Sequence, residues 1–400
     1  MERRTIAAVV SLIGAFRLDC APACAGPTYQ FVDLNPPGAE TSTATGIDAS
    51  EVVGSIAIRL PTGAIQARAV LWTGSNHTVV DLTPTDTFAN GRGISGGHQV
   101  GTVLQKPNVE NIERAFLWSG SRQSGVDLTP SGFSGADATG VWGDHQVGSG
   151  VGPGTAGDSH ALLWSGTAGS FVDLNPFGAS RSLAFGVYGS KQVGFYLVHP
   201  TGPVHAVLWT GSAASAVDLH PGTGFSNSIA HAVFAEHEVG EAVVAGTNGI
   251  SHATLWSGSA GSAVDLHPGP KYLRSIANAI AGNKEVGVAS LTGDSQNLLH
   301  AMVWSGTAGS AVDLDQFVPK KPGLFEVSEA LGIDANGVVV GIAGYTPDPE
   351  TIDPTFHAVQ WLPETHAIPL PPAAGPGLMV MTALAAILAF RRRGAVRLMD

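Results

Sequence analysis

HALLWSGTAGSFVDL, residues His160 to Leu174, recurs along the chain in close copies that end at Leu82, Leu128, Leu219, Leu266 and Leu314. In all six units the aspartate (Asp81, Asp127, Asp173, Asp218, Asp265, Asp313) lies nine positions after the tryptophan (Trp72, Trp118, Trp164, Trp209, Trp256, Trp304). Two β-rich ends held at constant spacing by a Gly/Ser/Thr/Ala middle read as a β-hairpin with a constrained turn. A second hairpin precedes each copy. Its marks are a glycine or alanine (Gly46, Gly93, Gly140, Gly186, Ala232, Ala279) and, eight residues on, the glycine of a Val-Gly pair (Gly54, Gly101, Gly148, Gly194, Gly240, Gly287). A seventh pair, Gly332 and Gly341, is one residue wider. Each unit is therefore four short strands: a (Gly-Ile), b (Val-Gly), c (His-Ala-x-Leu-Trp) and d (Val-Asp-Leu). The turns between them are rich in Gly, Asn, Asp and Ser, as tight turns demand.

Successive units lie 45 to 48 residues apart, except for a longer final interval. Four strands at that period predict an all-β chain, a seven-bladed β-propeller of ~46-residue repeats. Such short strands cannot bury a core alone. Stacked radially, each sheet covers its neighbours on both faces, which suits apolar strands without strict alternation. A β-solenoid is the alternative, and the strand count separates the two. Val32-Asp33-Leu34 is a d strand that precedes any a, b or c, while the last c strand, His357 to Trp361, is followed by Leu370 beside Pro369, a poor d strand. A surplus d at the start and a missing d at the end predict a closed ring. The N-terminal strand near 29–34 then completes a last blade built from strands near 328–333, 338–343 and 356–361.

Composition agrees. Apolar residues are 44% of the 400, enough for a large core, and 52 glycines with 25 prolines require many turns. A formal net charge of −12, with no basic patch in the repeats, argues against nucleic acid as a partner. Both cysteines, Cys20 and Cys24, precede the repeats, which are thus expected to hold together by burial alone.

The two ends read as addresses. Residues 1–25 have the layout of a signal peptide: Arg3 and Arg4, an apolar core from Thr5 to Phe16, and Ala23 and Ala25 around Cys24 as the cleavage site. Residues 369–393 hold Pro369, Pro371 and Pro372, then an apolar run from Ala373 to Phe390 long enough for a transmembrane helix, then Arg391, Arg392 and Arg393. Residues 394–400 follow as a cytoplasmic tail. Proline motif, short helix and arginine cluster in that order resemble the PEP-CTERM sorting signals of Gram-negative bacteria, in a proline-leucine-proline variant. The resemblance implies that an exosortase-type membrane enzyme removes the tail; a plain membrane anchor is the alternative. Either way residues 26–368, the repeat domain, are expected outside the cytoplasm.

The repeats themselves resemble the HAF-repeat extracellular proteins, named for a His-Ala-Phe segment ahead of a tryptophan. The segments here are HALLW, HAVLW, HATLW, HAMVW and HAVQW, with RAVLW and RAFLW in the first two units. The resemblance covers residues 29–361 and carries architecture; its functional implication is no finer than an extracellular repeat protein.

Five histidines (His160, His205, His252, His300, His357) share one repeated slot and seven aspartates another. Imidazole with carboxylate suggests metal or acid–base work. A slot filled once per blade, however, gathers no single site, and Arg68 and Arg114 replace histidine in two units. Both slots are therefore expected to be structural, the aspartate accepting backbone N–H groups at the strand end. No nucleophile elbow, P-loop, zinc-protease helix or Cys-x-x-Cys is present. Asp348, Glu350 and Asp353 have calcium-ligand chemistry, but their prolines favour a solvated loop. The chain is expected to need no cofactor or metal.

Two function classes follow. One is a non-enzymatic surface or matrix propeller, monomeric and associated with exopolysaccharide or biofilm, that binds a glycan or protein. The other is an extracellular glycan-active hydrolase or lyase with its site in variable loops. Loop length varies in the b–c and d–a connections, which share one face, and those d–a segments carry Phe88, Phe133, Phe177, Phe225, Tyr272 and Phe317. Ligand is expected on that face, with segments 102–113, 195–204 and 342–355 at its rim.

Overall fold

Each repeat forms one antiparallel four-stranded sheet, and seven such sheets close into a β-propeller. The computed structural model describes residues 27–105, 112–198, 202–293, 298–320, 326–345 and 355–364. Ala23, Ala25, Pro369, Pro371, Pro372 and Arg391 to Arg393 lie outside them, as do Asp348, Glu350, Asp353 and parts of the three rim segments. Among the described residues no helix is long and apolar enough to cross a membrane.

Blade 3 shows the plan: a is Gly135–Trp142, b His145–Val151, c His160–Trp164 and d Val172–Asp173. Six blades take their strands in chain order. In the seventh, Glu326–Ile333, Val339–Tyr345 and Thr355–Pro363 are joined by Tyr29–Asp33, which pairs antiparallel with the last of them from Tyr29↔Pro363 to Asp33↔Val359. The ring is thus closed by the chain's first strand.

Strand a is far longer than its Gly-Ile mark, eight to ten residues, and lines the central channel. Every a strand carries a bulge. In blade 3 Ala138 opposes Gly148 and Gly140 opposes Val147, which leaves Thr139 over. The bulge turns a carbonyl onto strand b, and this explains the Val-Gly glycine. A Cβ on Gly148 would lie 2.0 Å from the carbonyl oxygen of Asp137, and one on Gly194 1.9 Å from that of Leu183. Only glycine fits there. The first glycine has a different reason: a Cβ on Gly140 would meet the carbonyl oxygen of Phe185 in the next blade at 2.7 Å. Small residues at this position let the inner strands pack backbone to backbone around the channel.

Strand d is only two residues in blades 2 to 6, and the constant c–d spacing is occupied by a short 3-10 turn such as Ala168–Ser170. Its last serine closes it, since Ser170 Oγ donates to the Thr167 carbonyl and accepts the Ser165 N–H. Short outer strands also leave little edge for pairing with another chain.

The core lies between blades. Trp72, Trp118, Trp164, Trp209, Trp256, Trp304 and Trp361 are all fully buried, as expected from the repeat. Each sits against the preceding blade: Trp256 of blade 5 packs with Val193, Leu208 and Leu219 of blade 4.

Candidate functional site

The b–c and d–a connections share one face of the ring, and the repeated polar slots meet there. In five blades the histidine Nδ1 lies 2.7–2.9 Å from an Oδ2 of the aspartate across the c–d pair: His160–Asp173, His205–Asp218, His252–Asp265, His300–Asp313 and His357–Asp33. The other oxygen, Oδ1, accepts the N–H of the second residue on, as at Asn175 and Thr83, each at 2.8 Å. The carboxylate therefore pins strand c to the loop that leaves strand d. The final pair uses Asp33, so the closing strand is held by the same device.

A second latch crosses between blades. The Ala161 N–H donates to Ser182 Oγ of the next blade at 3.0 Å, and Ser182 Oγ donates onward to Asn175 Oδ1 at 2.7 Å. In blades 4 and 5 the acceptor is a histidine. Ser228 Oγ accepts the Ala206 N–H, which leaves its own hydrogen for His220 Nδ1 at 3.0 Å; Ser275 serves Ala253 and His267 alike. Those acceptors stack on the slot histidines, His205 on His220 and His252 on His267, each at 4.1 Å between ring centres. Burial, and then the facing imidazole, holds His220 and His267 below the usual histidine pKa.

The six loop aromatics are not equivalent. Phe88, Phe225 and Tyr272 belong to the start of strand a itself, because that strand extends back into the segment read as a d–a loop. Tyr272 is buried and its hydroxyl donates to Asp313 at 3.1 Å; Phe317 packs on Tyr29 at 5.7 Å; Phe133 packs on Phe171 at 5.4 Å. Phe177 is fully exposed. The structure brings the six into no common platform.

The repeat is broken most clearly between blades 1 and 2. There a cleft of about 480 Å³ opens among Gln66, Arg68, Asp81, Arg122 and the segment from Thr83 to Phe88. Arg68 takes the histidine slot and donates from Nη1 to Asp81 Oδ2 at 2.8 Å, while Gln66 Oε1 accepts from its Nε and Nη2. Arg122, in the first position of a 3-10 turn that holds alanine at Ala168, Ala213, Ala260 and Ala308, donates from Nη2 to the same Asp81 oxygen. The Arg122 Nε is buried and has no hydrogen-bond partner among the described residues. Two guanidinium groups share one carboxylate.

The channel holds residues that sequence reasoning missed. The bulged residues Thr45, Arg92, Thr139, Phe185, His231, Asn278 and Leu331 ring a cavity of about 210 Å³. Burial raises the carboxyls of Asp137 and Glu329 nearby, although Ser149 and Asn278 hydrogen-bond to them. The signal was present: the middle residue of each Ala/Gly-x-Gly/Ala triplet varies between small neighbours. Among the described residues no group of three or more His, Cys, Asp and Glu side chains is placed to hold a metal ion.

No protein-family model matches the chain, and no curated protein matches it. Solved structures share its fold. The β-propeller domain of the Trilobed protease from Pyrococcus furiosus aligns with a TM-score of 0.50 at 10% identity, over 84% of this chain and 95% of that one. A prolyl endopeptidase structure aligns at 0.52 and 9% identity over 82% of this chain and 51% of that one, so this chain spans about half its length. Likeness at this identity is one of fold. The archaeal domain is described as having an open velcro topology, whereas here the Tyr29–Asp33 strand closes the ring.

Proposed function

We propose that the chain is an exported, non-enzymatic binding propeller of a bacterial surface or extracellular matrix, meeting a glycan or protein ligand on its b–c/d–a face. One observation carries this reading. The recurring histidine and aspartate are engaged with each other in five blades, where they tie strand c to strand d, while departures from the repeat converge on an open cleft beside the d–a segment from Thr83 to Phe88. Blade-specific chemistry on a symmetric scaffold is what recognition requires. Export rests on the N-terminal segment, with signal peptidase cutting after Ala25. Retention rests on the proline–helix–arginine tail, held in the inner membrane until an exosortase-type enzyme removes it. A monomer exposed outside the cell, associated with exopolysaccharide or biofilm, accounts for both.

A glycan panel scored for both binding and cleavage tests the reading. Binding without cleavage supports it; no binding to any glycan or matrix protein refutes it. Cleavage would instead favour an extracellular hydrolase or lyase, for which the half-buried carboxyls of Asp137 and Glu329, beside the channel-lining bulges and raised in pKa by desolvation, are the motivating observation. Intact mass of protein from its native host tests the processing. A chain that starts near Gly26 and ends near Pro372 is expected; retention of Arg391 to Arg393 means a permanent anchor.

A further inference from the structure

We infer that the cleft between blades 1 and 2 takes a carboxylate-bearing sugar, a hexuronate unit of an acidic glycan; this rests on the binding reading above and names its ligand class. The argument begins with what the repeat does elsewhere. In three blades one imidazole is the carboxylate's sole side-chain donor among the described residues and is enough to pin strand c to strand d, at Asp33, Asp173 and Asp265; Asp218 also accepts from Tyr196, and Asp313 from Tyr272 and Lys271. Blade 1 has two guanidinium groups on Asp81 instead, so one of them is surplus to the structural task. The surplus one is Arg122, since Arg68 occupies the structural slot and is further held by Gln66. Among the described residues Arg122 makes a single hydrogen bond, through Nη2 to Asp81; its Nη1 makes none, and its side chain is 36% exposed. The accessible Nη1/Nη2 end of a planar guanidinium, at the wall of an open cleft, suits a planar, bidentate acceptor, which a carboxylate is.

The remaining walls say what carries that carboxylate. Asp86 is exposed, is held at φ 59°, and forms no ion pair among the described residues, so its oxygens are open to hydroxyl donors. Phe88 and Pro84 supply apolar surface for the C–H face of a ring. Acid, hydroxyls and an apolar face on one small unit describe a uronic sugar; an acidic peptide can also donate to Asp86, through its N–H groups, but has no ring face for Phe88 and Pro84.

The test is calorimetric titration of the full chain with trigalacturonate, with the uncharged galactose trimer and with tri-aspartate. Arg122→Ala and Arg68→His restore residues that the other blades carry at these positions, so both variants are expected to fold with unchanged melting. Trigalacturonate should bind the wild type, and Arg122→Ala should weaken it by about tenfold or more, the weight of one lost charge-assisted hydrogen bond. The galactose trimer should bind more weakly and be indifferent to the change. Equal affinity of wild type and Arg122→Ala for trigalacturonate, or no binding of it at all, overturns the inference. Binding of tri-aspartate in preference to trigalacturonate overturns the sugar assignment. If the neutral trimer binds instead and is lost on changing the d–a segments, this inference falls and the broader reading stands.

Discussion

Replacing Trp209 by alanine opens a void between blades 3 and 4. Trp209 is fully buried against Val147, Leu163 and Leu174 of the preceding blade and Val207 of its own. Those neighbours lie on two sheets whose hydrogen-bonded ladders prevent collapse into the gap, so the upper part of the usual range applies. The expected cost is about 3–5 kcal/mol, a large share of the roughly 5–15 kcal/mol that holds a domain folded. Guanidinium melts followed by circular dichroism measure it directly. The internal control is the eighth tryptophan, Trp142, which is 38% exposed and touches Tyr188 at 5.2 Å. Trp142→Ala should cost no more than about 1.5 kcal/mol. A loss below about 1 kcal/mol for Trp209→Ala refutes the claim that the repeated tryptophans form the interblade core.

Other predictions concern the bulge, the latch and its titration. Gly194→Ala places a methyl against the Leu183 carbonyl and should destabilise by about 3 kcal/mol or more; a neutral result would mean that the bulge relaxes freely. Ser182→Ala leaves the buried Ala161 N–H unpaired and should cost about 1–3 kcal/mol in the same melts; no loss would mean that the latch does not matter. His220 and His267 have folded-state pKa values below their unfolded ones, so the unfolded chain binds protons first as pH falls. Their contribution is complete above about pH 6.5 and declines below it. The double variant His220→Asn, His267→Asn borrows the acceptor found at Asn35 and Asn175, and should flatten the fall in melting temperature from about pH 7 to 5; an unchanged slope contradicts this.

Much of the fold was legible because the repeat constrains spacing. Nine residues from Trp to Asp defined the outer hairpin, and the surplus Val32-Asp33-Leu34 located the closing strand, both without long-range information. What stayed hidden depends on a neighbouring blade or on bulge geometry. Gly148 looks like any strand glycine until the Asp137 carbonyl is seen in the place of its Cβ. Phe225 and Tyr272 read as loop residues because the bulge interrupts the pattern of strand a and conceals its length. The cleft joins Arg68, Asp81 and Arg122 from two blades, with Arg122 41 residues beyond Asp81. In the sequence each arginine is only a substitution in its own repeat; their convergence is a property of the ring.

Ring closure is the claim on which the rest depends, since an open edge would release the sheet that carries His357 and Asp33. Deleting residues 27–36 removes the partner of Val359–Pro363 together with buried Tyr29 and Leu34. The decisive measurement is the unfolding midpoint of that truncated chain, with and without a synthetic peptide of residues 27–36. The account predicts a sharply lowered midpoint that the peptide restores in a concentration-dependent way. A truncated chain as stable as the full one, or one that the peptide leaves unchanged, contradicts it.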